Sequence, residues 1–199
     1  MQTYWQKRKT LISGKSTEEF ENPQQIDIRN AAENFIIKNG KEIIDFGCNT
    51  GILAYRLFKK GYEGKYYGVD SNSKAIEKAI ELNKNPNATF IENDLLNLNF
   101  SELKSFPKYE IVYTKDTLEH FECYMDALIN FIYHTKKILM ISFFIKPSNE
   151  EKINKHKDGY YLNQYDRNKL ISFVNHFKFK NSTIYENSTE ELMVFEKLN

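Results

Sequence analysis

Acids placed at the ends of apolar runs are the residues here most able to do chemistry. Ile43-Ile44-Asp45-Phe46-Gly47-Cys48-Asn49-Thr50-Gly51 is a short apolar run that ends in two glycines four apart. From Ile52 the pattern turns helical, with Leu53, Leu57 and Phe58 on one face. A strand that enters a Gly-rich turn and opens a helix is a ligand-binding device. Glycine permits the sharp turn and a close approach to bare backbone, and the helix start offers unpaired N–H groups. Taken alone, the stretch could also be an ordinary strand-to-helix turn. Lys65-Tyr66-Tyr67-Gly68-Val69-Asp70 then reads as a second strand ending in an acid, a placement suited to accepting from ribose hydroxyls. Phe90-Ile91-Glu92-Asn93-Asp94-Leu95 reads as a third, and Tyr109-Glu110-Ile111-Val112-Tyr113 as a fourth.

The elements that must position these acids follow from the spacing. Strands alternating with helices predict a parallel sheet, with a ligand at the carboxyl ends of the strands beside the point where strand order reverses. Asp45, Gly47, Gly51, Asp70 and Asp94 all fall at or near such ends. Ser71-Asn72-Ser73 caps a helix carrying Ala75, Ile76, Ala79 and Ile80. A second helix takes Phe121, Leu128, Ile129, Ile132 and Tyr133 as its buried stripe, and residues 137–145 form a continuous apolar strand. Residues 146–165 are polar and read as an irregular loop, where a substrate cover belongs. Residues 177–185 and 192–198 alternate as a terminal hairpin.

At these motifs the chain resembles the class I (Rossmann-like) S-adenosylmethionine-dependent methyltransferases, and looks similar to their type 11/12 small-molecule group. The family's D-x-G-x-G-x-G appears as Asp45-Phe46-Gly47-Cys48-Asn49-Thr50-Gly51, and its "LEH" element as Leu118-Glu119-His120. The match is good over roughly residues 40–145 and looser elsewhere. Asn49 stands where the middle glycine usually sits, and Asn tolerates left-handed backbone better than other non-Gly residues. The resemblance implies a single doubly wound α/β fold: a seven-stranded, mostly parallel sheet, helices on both faces, and a C-terminal antiparallel hairpin. It implies S-adenosylmethionine as cofactor, held by Asp45, Gly47, Asn49, Gly51, Asp70, Ser71, Asp94, Leu95 and Lys115. Asp70 would meet the ribose and Asp94 the adenine amino group, with Leu95 packing the ring; Asp94 could instead cap a helix. Asp45 would either touch the methionine amino group or, the preferred reading, orient the Gly-rich turn.

Methyl transfer needs an aligned nucleophile, and a base when the acceptor is a hydroxyl. His120, His156 and Asp116 are the candidates, His120 having a packing role as its alternative. Asp116-x-x-Glu119-His120 with His156 downstream also resembles the divalent metal site of the RNA 3′-end 2′-O-methyltransferases, provided that a helix begins at residue 116. A dinucleotide oxidoreductase lacks its G-x-G-x-x-G here, and a cofactor-binding scaffold without activity is the further alternative. Gly14-Lys15-Ser16-Thr17 mimics the end of a phosphate-binding loop but has Lys9 where that motif requires glycine.

The bulk numbers set the frame. The 199 residues suffice for one domain, and a net charge of +1 commits the chain to neither nucleic acid nor membrane. Residues 1–40 are expected to form a helical lid, with Tyr4 and Trp5 over the cofactor, and residues 41–199 the Rossmann-like domain. Two cysteines, no apolar leader and no long apolar run point to a cytoplasmic protein. The expected partner is a small-molecule acceptor, first a sugar, sugar-nucleotide or phosphate-bearing glycan precursor. Lys146, Lys155, Lys157 and Arg167 are available to a phosphate. No stable nucleic acid partner is expected, and the oligomeric state is open. Arginine is scarce, so Arg8, Arg29, Arg56 and Arg167 are candidate anion ligands.

Overall fold

The computed structural model describes Tyr4, residues 26–94 and residues 107–198. Helix α1 (Ile26–Asn39) precedes β1 (Glu42–Phe46), α2 (Ile52–Lys59), β2 (Lys65–Asp70), α3 (Ser73–Leu82) and β3 (Ala88–Glu92). Then come β4 (Tyr109–Lys115), a 3₁₀ turn (Leu118–His120), α4 (Tyr124–His134), β5 (Thr135–Phe143), α5 (Arg167–His176), β6 (Phe179–Glu186) and β7 (Glu191–Lys197). Seven strands form one sheet in the order β3-β2-β1-β4-β5-β7-β6. The first five pair in parallel, while β7 runs antiparallel to both β5 and β6. The expected doubly wound α/β sheet and terminal hairpin are therefore present.

Alternation along the strands divides the core. In β1, Ile43 joins α1 and α2 on one face, through Ile28, Ala32, Ile36, Ala54 and Leu57. Ile44 and Phe46 point to the other face, toward Leu128 and Phe131 of α4 and Leu170 and Val174 of α5. This is the two-residue period of a strand buried on both sides.

Some boundaries differ from expectation. In α4 the buried face runs through Tyr124, Ala127, Leu128, Phe131 and Ile132. Ile129 and Tyr133 are only half-buried, because burial follows Phe131, which stacks on Phe46 with ring centroids 4.8 Å apart. β5 begins at Thr135, directly after α4, so the apolar run enters the sheet two residues early. Residues 146–165 are not irregular throughout. Bridges Lys152↔Gln164 and Lys155↔Tyr161 fold them into an antiparallel ribbon. Backbone hydrogen bonds satisfied across a ribbon remove the cost that a polar loop would carry against the protein. Among the described residues no helix is long and apolar enough to cross a membrane.

Candidate active site

The chain leaves β1 outward on one side through β2 and β3, and on the other through β4 and β5. The carboxyl ends of these strands diverge at β1, the place where a doubly wound sheet opens a crevice. Gly47 (φ 80°), Asn49 (φ 50°) and Gly51 (φ 71°) all adopt left-handed backbone there. The amides of Gly47 and Cys48 donate to the Val69 carbonyl at 2.8 and 3.0 Å, lacing the turn to β2. Asp70 completes the lacing. Its Oδ2 accepts from the Asn49 amide and its Oδ1 from the Asn72 amide, each at 2.9 Å. Asn72 in turn caps α3, accepting from the amides of Lys74 (3.1 Å) and Ala75 (3.2 Å). Burial raises the Asp70 pKa, and backbone N–H groups oppose the rise. The Ser71 amide also bonds the carboxylate, which has about four acceptor sites and so retains one for a further donor.

A cavity of about 590 Å³ opens over this turn. Following the strand order β3-β2-β1-β4, its wall carries Asp94 after β3, Asp70 at the end of β2 and Ser71 after it, Gly47 and Asn49 after β1, and Lys115 at the end of β4 with Asp116 after it. Asp45 lines it too, on the α1–α2 side of the sheet, where the Tyr66 hydroxyl donates to its Oδ2 at 2.6 Å. Desolvation by burial raises the Asp45 pKa to about 7, and the Tyr66 hydrogen bond partly offsets it. Among the described residues the Asn49 amide of the turn donates to Asp70, not to Asp45. Gly51 starts α2, and the Asn83 side chain donates to its carbonyl at 3.2 Å. Trp5 and Leu95 lie outside the described residues; Tyr4 is on the cavity wall.

At the β4 end Lys115 and Asp116 form an ion pair, and Asp116 has φ 53°. That left-handed residue ends the strand and prevents a helix from starting at 116; only the 3₁₀ turn at 118–120 follows. The shared helical face needed for metal ligation does not form. Glu119 is fully buried, and its Oε1 accepts from the amide of Phe144 at 2.9 Å. Burial, with Asp116 nearby, raises its pKa to about 8. Among the described residues no group of three His, Cys, Asp or Glu side chains converges as metal ligands.

His120 lines the cavity, and its Nδ1 lies 2.9 Å from the Tyr161 carbonyl. Gly159, Tyr160 and Tyr161 bring the ribbon's tip to the same wall. Tyr160 stands between two rings, Tyr4 at 4.5 Å and His156 at 4.4 Å between centroids. His156 thus sits behind Tyr160, off the cavity wall, with its Nδ1 accepting from the Asp158 amide at 3.3 Å.

Sequence reasoning placed α1 in a lid and marked Arg29 as a candidate anion ligand, but it did not single out Glu33. The helix brings Arg29 and Glu33 to the cavity, where Glu33, buried, pairs with Arg56 of α2 and with Lys60. The scarcity of arginine was the available signal, and it was mixed: Arg29 and Arg56 line the cavity, whereas Arg167 is engaged with the buried Glu191 at 2.7 Å. Lys146 likewise pairs with Glu186, and neither Lys155 nor Lys157 reaches the wall.

The sheet order, the left-handed glycine turn and the acid at the end of β2 define a Rossmann-like methyltransferase fold. A profile of the methyltransferase domain family matches residues 37–191, and the chain belongs to that family. The ubiquinone biosynthesis O-methyltransferase of Rickettsia canadensis (strain McKiel) is 29% identical over 157 residues, 75% of this chain and 61% of that protein. The chain therefore spans less than two thirds of that curated relative. Magnesium protoporphyrin IX methyltransferase from Synechocystis PCC 6803, solved with bound S-adenosylmethionine, superimposes with a TM-score of 0.68 at 16% identity, covering 94% of this chain and 88% of that one. The N-terminal domain of EvdMO1, solved with S-adenosylhomocysteine and D-fucose, gives 0.71 at 13% identity, covering 89% and 84%.

Proposed function

We propose that this protein is an S-adenosylmethionine-dependent methyltransferase that methylates a hydroxyl of a small molecule. The observation that carries the reading is one continuous cavity wall running from Asp94 and Asp70 across the glycine turn to His120 and Tyr160. The residues fit such a cofactor. The turn exposes backbone where side chains would intrude, the Asp70 carboxylate keeps acceptor capacity for a ribose hydroxyl, and the cavity volume is that of a small-molecule site. Asp70 would hold the ribose, Asp94 the adenine edge, and Gly47, Asn49, Gly51 and Ser71 the intervening atoms. Asp45, Lys115 and Arg29 would serve the amino-acid end. When bound, the sulfonium supplies an already activated methyl group.

The chain's own task is then alignment and proton removal. His120 takes the acceptor's proton on Nε2, because Nδ1 donates to the Tyr161 carbonyl. Asp116, paired with Lys115, shapes the same wall, and His156 acts through Tyr160. Tyr4 and Arg29, on the cavity wall, would help to cover the bound cofactor from the N-terminal part of the chain. The acceptor we favour is a sugar-type hydroxyl compound without a phosphate at the site, since Lys146 and Arg167 are engaged elsewhere. O-methylation agrees with the Rickettsia relative's being an O-methyltransferase, and a sugar with the D-fucose in the EvdMO1 structure. The unpaired thiols Cys48 and Cys123 suit a cytoplasmic setting.

Calorimetric titration of the purified protein with S-adenosylmethionine and S-adenosylhomocysteine tests the class. A panel of hydroxylated sugars and phenols, followed by transfer of labelled methyl, tests the acceptor. Saturable binding of both nucleosides is expected. Absence of binding to either would remove the basis for the reading, and binding with no transfer to any acceptor would favour a scaffold.

A further inference from the structure

The ribbon at residues 152–164 and the 3₁₀ turn are far apart in sequence, yet they are joined at one residue. Asn163 is fully buried. Its amide nitrogen donates to the Glu119 carbonyl at 2.9 Å, and its side-chain Nδ2 donates to the Phe121 carbonyl at 2.7 Å. Its Oδ1 accepts from the Asn154 amide at 2.9 Å. The Asn163 side-chain orientation is settled by this pairing, because the opposite one would set an oxygen against a carbonyl and an NH₂ against an N–H. The two carbonyls that Asn163 holds flank His120 on either side. Tyr165 adds to the junction, its hydroxyl proton lying between the carbonyls of Leu118 (2.6 Å) and Phe121 (2.8 Å). Two residues before Asn163, the Tyr161 carbonyl meets Nδ1 of His120 at 2.9 Å.

We infer that Asn163 is a positioning residue: it locks the ribbon to the turn so that the Tyr161 carbonyl fixes His120 as the Nδ1–H tautomer, with the lone pair on Nε2. A carbonyl oxygen can only accept, so the nitrogen facing it must carry the proton. A neutral imidazole with Nδ1 protonated has Nε2 as its basic atom. The tautomer of an unconstrained histidine is not set in this way, and water favours the opposite form. Hydrogen bonds that cross between two segments hold only while both segments stay in register, and Asn163 supplies two of them from one buried site, while its third bond, from the Asn154 amide, ties it within the ribbon. The inference rests on the reading of His120 as the proton acceptor, but its central statement concerns a tautomer that can be measured without substrate.

The test is nitrogen NMR of histidine-labelled protein, recorded where the imidazoles are neutral, on the wild type and on Asn163→Leu. Leucine keeps the volume and the backbone donor but removes the side-chain bonds. The wild type is expected to show His120 as Nδ1–H, and N163L to lose that form in favour of Nε2–H, with S-adenosylmethionine affinity unchanged. Asn163→Ser, which leaves room for water in place of the amide, keeps the test open if N163L does not fold, and is expected to shift the tautomer in the same direction. An Nε2–H tautomer in the wild type, or an unaltered Nδ1–H tautomer in a folded variant, would overturn the inference. Failure of the methyltransferase reading registers separately, as absence of cofactor binding by the wild type whatever the tautomer.

Discussion

The carboxylate of Asp70 accepts the backbone N–H of Asn49 at 2.9 Å, so the acid at the end of β2 holds the turn that follows β1. Asp70 therefore tethers the turn, and in the proposed function it would also be the acceptor offered to a ribose. Asp70→Ala should weaken S-adenosylmethionine binding by about 1–3 kcal/mol, roughly 5- to 150-fold, the scale for a charge-assisted hydrogen-bond acceptor. It should also lower stability, since the amides of Asn49 and Asn72 lose their partner. Asn49→Gly should keep the affinity, because glycine adopts the φ of 50° without strain. Calorimetry on the three proteins decides this, and undiminished affinity in D70A would contradict a ribose role.

Gly47 is constrained from both sides. Its φ is 80°, and a Cβ there would overlap Thr117 Oγ1 and lie 3.0 Å from Thr117 Cγ2. Gly47→Ala should cost about 2–3 kcal/mol, combining left-handed strain with overpacking. Thr117→Ala in the same chain should return about 1 kcal/mol by removing the clashing atoms. Denaturant unfolding of the two single variants and the double variant measures the coupling, and strictly additive effects would show that strain alone is responsible.

Glu119 gives a pH dependence with a definite sign. Burial raises its folded pKa to about 8 from an ordinary 4.5. Between those values the folded protein holds a proton that the unfolded chain has released, so stability is greatest below the lower value and falls as pH rises through the upper. Asp45, raised to about 7 by burial, contributes with the same sign. Glu119→Gln should match the wild type near pH 5 and exceed its stability by roughly 2–4 kcal/mol above pH 8. Melting curves across this range test it, and parallel pH profiles for the two proteins would refute it.

Arg167 separates folding from binding. Its guanidinium meets both oxygens of the fully buried Glu191, at 2.7–3.2 Å. Arg167→Ala should cost about 2–4 kcal/mol of stability, because Glu191 keeps a buried charge and loses its main partner. Arg167→Lys should recover only part, lacking the two-pronged geometry. Cofactor affinity should not change in either. A lowered affinity in a folded R167A protein would return this arginine to the list of anion ligands.

The sequence by itself determined the alternation of strands and helices, the Gly-rich turn, and the acids that close β2 and β3, because period, glycine placement and strand-end acids are local signals. It also marked residues 118–120 and the stretch after β5 as parts of a site. Only the tertiary structure decided what these parts face. Asp116 takes left-handed backbone and stops a helix that periodicity allowed, which turns Glu119 inward to the Phe144 amide. Arg29 and Glu33 reach the cavity because α1 packs back on β1, a contact with no local signature. Lys146 and Arg167, basic residues near a cover loop, are spent on Glu186 and Glu191, partners about 25–40 residues away along the chain. The hydrogen bond between His120 and Tyr161 likewise joins residues distant in sequence, so the orientation of the His120 ring is set by the fold rather than by the motif that contains it.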